Sequence, residues 1–505
     1  MKKINYTIRL LSLLLLMIVA NSCGKDFLDL NPTTTLNTGN AYNSAKDLNN
    51  AITGAYNAFY QEYYEWDYIL LGDMRSDNAY AGGGGDIATT PYDNLTIQAG
   101  NTRMEFDWAQ LYLGIGRCNI ILEKINGVTD PELDVNDMRK KIIGQASFLR
   151  AYHYFHLVKT WGGVPIELHS NTTDPSKTNL TRSTEKEVYD QIVKDLEVAI
   201  ANLPDKYSAD NTENKVRATK GAANALMAKV WAQRTDRDYS KVITYCDAVI
   251  NSQVYSLLDN YANLFDGDHY MNDESILEIA YQTDANWITS NWGTALFNEV
   301  GDGFQSYCVP SKDLVNLYDS HNDLIRKDAN ILFRTENEYA DENWNPCNDP
   351  AVEVPYNYKE KHPNGWNGGD HLYLLRLADI ILLKAEALNE TNDLAGALTI
   401  VNEIIRKRVG LSPISASTKE EMRTKILDER RMELAFEGHR FDDLVRNGVF
   451  VSTMNNLKEY KFTCNDGTPS DPILINYNAT IEKQLCPIPQ NERDRNSNIT
   501  QNSGY

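Results

Sequence analysis

Ile426-Leu427-Asp428-Glu429-Arg430-Arg431-Met432-Glu433-Leu434-Ala435-Phe436-Glu437-Gly438-His439-Arg440-Phe441-Asp442-Asp443-Leu444-Val445-Arg446 is the stretch on which the reading of this chain turns. Glu429, Glu433, Glu437, His439, Asp442 and Asp443 crowd against Arg430, Arg431, Arg440 and Arg446. So many carboxylates beside a histidine invite a catalytic reading. The spacing favours a structural one, because opposite charges three and four residues apart support a helix, and Arg–carboxylate pairs at helix contacts lock neighbouring helices together. The stretch is therefore expected to be one helix that organises its surroundings.

Working outward, other helices follow from periodicity. Met138 to Trp161 carries Ile142, Ile143, Ala146, Phe148, Leu149, Tyr152, Phe155 and Val158 on most of its faces, which predicts a buried helix. Gly162-Gly163 ends it, and Pro165 bars its continuation. Thr184-x-x-Glu187 has the form of a capping box, followed at helical spacing by Val188, Ile192, Leu196, Ile200 and Leu203 until Pro204. Two later stretches look like one unit written twice. Gly221–Gln233 is rich in small residues and is followed by a helix opening at Asp238-Tyr239; Leu372–Asn389 carries Ala378, Ala385 and Ala387 and is followed by one opening at Asp393-Leu394. Small residues on the first helix of each pair let the second approach closely, the packing logic of tetratricopeptide-type hairpins, here divergent and irregularly spaced. Between these blocks, roughly Glu62–Asn101 and Val254–Trp366, the chain is rich in Tyr, Trp, Asn, Asp and Gly and lacks sustained periodicity, so both are expected to be functional loops.

The N-terminus reads as an export leader. Lys2, Lys3 and Arg9 precede an uncharged apolar run from Leu10 to Ala20, about half the length needed to span a bilayer as a helix. Ala20-Asn21-Ser22-Cys23 resembles the bacterial lipobox, in which the cysteine is lipidated and becomes the mature N-terminus. Ala20-x-Ser22 would also serve ordinary leader cleavage. The expected organisation is a leader at 1–22, a polar tether at 23–40, and two regions, 41–253 and 254–505, packed as one globular unit. With 42% hydrophobic residues among 505, the chain can bury a substantial core. Its formal charge is −21, and losing Lys2, Lys3 and Arg9 with the leader takes it to −24. That disfavours nucleic acid and anionic membrane surfaces as partners, since both would be repelled. Besides Cys23 there are cysteines at 118, 246, 308, 347, 464 and 486. Export permits disulfides, six cysteines allow fifteen pairings, and zinc-type spacing is missing, so pairing stays open and no metal is expected.

Several blocks then agree in order with one family. The Ile426–Arg446 stretch is similar to the signature of the SusD/RagB family of outer-membrane lipoproteins. Leu149-Arg150-Ala151-Tyr152 through Trp161-Gly162-Gly163-Val164-Pro165, Arg217-Ala218-Thr219-Lys220-Gly221-Ala222-Ala223, Leu375-Arg376-Leu377-Ala378-Asp379-Ile380, Ala385-Glu386-Ala387-Leu388-Asn389, Pro487-Ile488-Pro489 and Gln501-Asn502-Ser503-Gly504-Tyr505 also resemble family motifs. The resemblance implies a mainly α fold, SusD-like, with tetratricopeptide-like helix pairs and a large irregular, loop-rich ligand-binding face. It implies lipidation at Cys23, with Gly24-Lys25-Asp26 resembling a surface-export signal, and residence on the cell outer membrane. It also implies a partner, a SusC-like TonB-dependent barrel on which the lipoprotein sits as a lid for nutrient uptake, capturing glycans or, in the RagB-like branch, peptides.

No motif nominates a catalytic pair. A glycosidase needs two carboxylates roughly 5 to 10 Å apart, and 70 acidic residues offer no local pattern that picks one out. His153 and His156 share a helix face but read as core polar groups, and Gly82–Gly85 lacks the Lys-Ser/Thr of a phosphate loop. No cofactor is expected. Sugars present apolar C–H faces that stack on flat rings and hydroxyls that need fixed polar partners. Two places offer both: Leu71–Ala81, with Asp73, Arg75, Asp77, Asn78 and Tyr80, and Asp284–Phe297, with Asn286, Trp287, Asn291 and Trp292. Arg75, Asp77, Asn78, Tyr80, Trp287 and Trp292 are the ligand-binding candidates. Asp77-Asn78 could equally form a loop-internal turn, and each aromatic could be core or transporter-facing. The expected activity is binding of an oligosaccharide without turnover; capture of peptides, or a scaffold role without a small ligand, are the alternatives.

Overall fold

A computed structural model describes residues 41–82, 87–170, 179–283, 289–293, 295–298, 307–335, 340–359 and 367–505. The leader, Cys23, the tether, Gly83–Gly85 and Trp287 lie outside them. The described residues are mainly helical. Helices α1 (Ala45–Tyr56), α2 (Thr102–Lys124), α3 (Met138–Trp161), α4 (Glu185–Asn202), α5 (Lys220–Gln233) and α6 (Tyr239–Ile250) form the first part, and each except α3 begins on a side-chain cap. The box at Thr184 and Glu187 is present in both directions, satisfying two N–H groups that would otherwise be orphaned.

Successive helices stack on one another. α2 packs on α3, α3 on α4, α4 on α5 and α5 on α6; α6 then packs on α7 (Leu377–Glu390), which pairs with α8 (Leu394–Ile400). The two small-residue hairpins are thus neighbours in space although more than a hundred residues separate them in sequence. Ala222, Ala223, Ala225, Ala228 and Ala232 are buried on α5, and Ala378, Ala385 and Ala387 on α7, so the close approach anticipated from their size is realised. One hydrophobic core runs from α1 through α7 and beyond. Among the described residues no helix is long and apolar enough to cross a membrane.

Two elements differ from the sequence reading. Leu372–Arg376 is not the start of a helix but strand β4, antiparallel to β2 (Ser275–Ile279); helix α7 begins only at Leu377, directly after that strand. The Ile426–Arg446 stretch is not one helix either. α9 (Lys419–Leu434) stops, Phe436 and Gly438 take positive φ of 63° and 75°, and α10 (Arg440–Arg446) restarts in another direction. The break is required by packing: a Cβ on Gly72 would lie 2.3 Å from the carbonyl carbon of Gly438, so backbone meets backbone where only glycines fit.

Glu62–Asn101 also corrects its reading as a loop. Tyr63–Asp67 and Leu70–Met74 are wide π-helical turns, and Tyr63, Tyr64 and Trp66 are buried core residues. The hydroxyls of Tyr63 and Tyr64 meet His156 Nδ1 and His153 Nδ1, both at 2.7 Å. Burial pushes both imidazoles below their usual range, that of His153 to about 3. They are neutral core groups, as expected.

Candidate functional site

The segment after the second π turn enters the interior and is held there by the broken signature. Asp73 accepts the N–H of Phe436 at 3.0 Å and of Gly438 at 2.7 Å, and also the Asn78 amide at 2.7 Å. Burial raises its carboxyl to about 6. Asp77 takes a two-pronged contact from Arg440, at 2.7 and 2.8 Å, with Arg431 at 3.3 Å. Burial works against the ionised form, but Arg431 and Arg440 outweigh it and hold the carboxyl at about 2. Asn78 accepts from Arg431 Nε at 2.8 Å, and Arg75 lies over the Phe441 ring while donating to the Lys483 carbonyl at 2.9 Å.

Three of the candidates in Leu71–Ala81 are thus interior residues. Arg75, Asp77 and Asn78 are at most 2% exposed, and their polar groups join segments more than 350 residues apart. They fasten the N-terminal segment to α9 and α10. Trp292 is half-buried, edge-on to Trp66 at 6.1 Å, with its indole bonded to Glu65.

Tyr80 has a different position. With Ala79 it forms strand β1 against β3 (Val309–Pro310), and it sits at the floor of a cleft of about 630 Å³. One side of the cleft is Thr90, Asp93 and Asn94; the second is Asp341, Glu342 and Asn343; the third is Lys461, Leu474, Ile475 and Asn476. Asn94, Glu342, Lys461 and Asn476 are exposed there, while Asp341 and Asn343 are buried beneath the surface. The second side is rigidly built. Asp341 and Asn345 exchange backbone hydrogen bonds of 3.0 and 2.9 Å, and Asp341 Oδ1 accepts from the Tyr80 hydroxyl at 2.6 Å and from the N–H groups of Asn343 and Trp344.

Three carboxyl groups from separate segments each keep one buried oxygen without a partner: Asp93 Oδ1 and Asp341 Oδ2 in the cleft lining, and Glu459 Oε1, near enough to Asp93 to feel its charge. Burial raises Asp93 to about 7, burial and then Asp93 raise Glu459 to about 8, and burial raises Asp341. Carboxyls kept protonated can donate as well as accept. Among the described residues no group of three or more His, Cys, Asp or Glu side chains could hold a metal ion.

Two sides of this cleft fall within the expected functional loops, Glu62–Asn101 and Val254–Trp366, but of their residues the sequence singles out only Tyr80. Lys461, Leu474, Ile475 and Asn476, the third side, come from a stretch outside those two segments. Cys347 and Cys464, whose pairing the sequence left open, form a disulfide beside the cleft, and Cys118, Cys246, Cys308 and Cys486 are buried.

Comparison with known proteins places this architecture. Residues 273–505 match the SusD family, and residues 26–231 match a family described as starch-binding and associating with the outer membrane. SusD-like protein P2 of Formosa agariphila is 28% identical across the whole of both chains. The starch-binding protein SusD of Bacteroides thetaiotaomicron is 23% identical over 82% of this chain and 80% of its own. A SusD-like protein from Bacteroides fragilis superposes with a TM-score of 0.73 at 25% identity, covering 92% of this chain and 98% of that one. A laminarin-binding SusD-like protein gives the same TM-score at 24% identity, covering 92% of this chain and all of the other.

Proposed function

The chain belongs to the SusD/RagB family of outer-membrane-associated, carbohydrate-binding proteins, and from that premise we propose that it is a cell-surface lipoprotein that captures oligosaccharides without cleaving them. It is anchored through Cys23 and passes its ligand to a SusC-like TonB-dependent barrel. The observation that carries the reading is the cleft over Tyr80, where exposed amides of Asn94 and Asn476 stand beside Leu474 and Ile475. A volume of about 630 Å³ falls within the range of small-ligand pockets. Its chemistry suits a neutral sugar: amides and a lysine for hydroxyls, apolar side chains for C–H faces. Relatives named for starch and laminarin support a glycan over a peptide. The tether at Cys23 and the cleft over Tyr80 lie more than fifty residues apart along the chain.

The test is a glycan array with a peptide pool beside it, probed by wild type and by the Asn94→Ala/Asn476→Ala variant. Saturable glycan binding that weakens about tenfold or more in the variant is expected, since each lost hydrogen bond costs about 1 kcal/mol. Binding confined to peptides would replace the glycan reading with a peptide-importing one.

A further inference from the structure

The third side of the cleft is the least firmly built part of it. It is a ribbon from Tyr460 to Leu474 with two short pairings, Tyr460-Lys461 with Ile473-Leu474 and Cys464-Asn465 with Thr468-Pro469, continued by the Ser470 N–H on the Thr463 carbonyl at 2.8 Å and the Ile475 N–H on the Glu459 carbonyl at 3.0 Å. All eight of the paired residues are exposed, so packing beneath the ribbon comes down to the half-buried Phe462, whose ring lies 5.3 Å from Lys312 Nζ. A two-stranded hairpin on its own is marginal in water.

Three links tie it to the rigid second side. The Phe462 N–H donates to the Glu342 carbonyl at 2.8 Å, Lys461 approaches the Glu342 carboxylate at 3.9 Å, and Cys464 is joined to Cys347 with the Cα atoms 5.0 Å apart. The ion pair is solvent-exposed and contributes little. The segment that carries Cys347 is firmly fixed: Asn345 bonds Asp349 in both directions, the Trp344 indole donates to the Pro310 carbonyl at 3.2 Å, and Lys312 donates to the Asn343 carbonyl at 2.6 Å. One end of the disulfide is thus anchored and the other holds an otherwise weak ribbon.

We propose that the Cys347–Cys464 disulfide is a positioning device for ligand binding, holding the ribbon across the cleft so that Lys461, Leu474 and Asn476 meet the sugar already in place. The proposal rests on the glycan reading. Without the link, ligand binding must first order the ribbon, and the ordering cost appears as lost affinity.

The test compares wild type, the Cys347→Ser/Cys464→Ser variant, and wild type treated under native conditions with a phosphine reductant. The disulfide is accessible, with Cys464 exposed and Cys347 half-buried, whereas the remaining four thiols among the described residues are buried. The reductant arm needs no refolding and therefore stands even if the variant folds poorly. Hydrogen–deuterium exchange at the Phe462 and Ile475 amides should rise at least about tenfold in both perturbed forms, with the α3 amides unchanged, and glycan affinity on the array should fall roughly tenfold. Affinity and exchange unchanged from wild type would overturn the proposal alone. Wild type that binds no glycan would remove the reading beneath it, and with it the proposal.

Discussion

Glu433→Gln is the substitution that most sharply separates a structural from a chemical role for the charged signature. Glu433 is fully buried; Oε1 accepts from Arg376 at 2.8 Å and from Arg408, and Oε2 accepts from Arg326 at 3.3 Å. Around it Glu274, Asp323, Glu429 and Glu437 stand among Arg326, Arg376, Arg406, Arg408 and Lys359. With Glu433 the negative groups equal the positive ones in number. Gln keeps the shape, so the loss is electrostatic: one buried positive charge without a counter-charge. Removing one partner of a buried ion pair costs about 3–5 kcal/mol. Unfolding entropy of roughly 2 cal/mol/K per residue gives about 1 kcal/mol/K for a chain this long, so the midpoint should fall by about 3–5 °C in differential scanning fluorimetry. Burial opposes ionisation of Glu433, but Arg408, Arg376 and Arg326 hold its carboxyl well below the usual range. Its contribution is therefore complete above the unfolded carboxylate pKa and is lost as pH falls below about 4, so the gap between wild type and variant should narrow there. The exposed Glu403→Gln, beside Lys407, should leave the midpoint unchanged. A Glu433→Gln shift below about 1 °C, or a gap that stays constant down to about pH 3, would mean that Glu433 does not balance the buried arginines.

Four further outcomes are expected. Asp93 and Glu459 have folded-state pKa values of about 7 and about 8, above their unfolded values, so their contribution is fully present below about pH 4 and is lost as pH rises to about 8; Asp93→Asn/Glu459→Gln should flatten that part of the midpoint-versus-pH curve, and an unchanged slope would contradict it. Tyr80→Phe removes the donor to Asp341 at 2.6 Å and should cost about 1–3 kcal/mol by chemical denaturation, with no loss counting against the pairing. Gly72→Ala brings a methyl to 2.3 Å from the Gly438 backbone and should leave little soluble protein; normal yield with an unshifted melt would mean the contact is looser than described. Cys23→Ala should abolish retention in the membrane fraction while array affinity stays at the wild-type value, and a fall in affinity would show that tether and ligand site are not separate.

Much of the helical frame was legible because its signals are local. α3 and α4 carry periodicity and a terminating Gly or Pro within a single stretch, and α4 adds its capping box. Leu372–Arg376 was misread because a short apolar run looks alike as buried strand or helix, and its partner Ser275–Ile279 lies about a hundred residues away. The break after Leu434 depends on Gly72 meeting Gly438, a contact no helical pattern announces. Arg75, Asp77 and Asn78 looked like ligand residues for a similar reason. Polar side chains in an aperiodic segment imply exposure only until distant arginines, here Arg431 and Arg440, are known to bury them. The cleft combines four segments and a disulfide of sequence separation 117, so only Tyr80 could be singled out in advance.

On the proposed function the protein binds a glycan and leaves it whole. Isothermal titration of the purified protein with the array-positive glycan, followed by chromatography of the recovered ligand, tests it directly. Saturable binding with the ligand returned at its original length is the predicted result; new reducing ends, or no heat with any glycan, would contradict it.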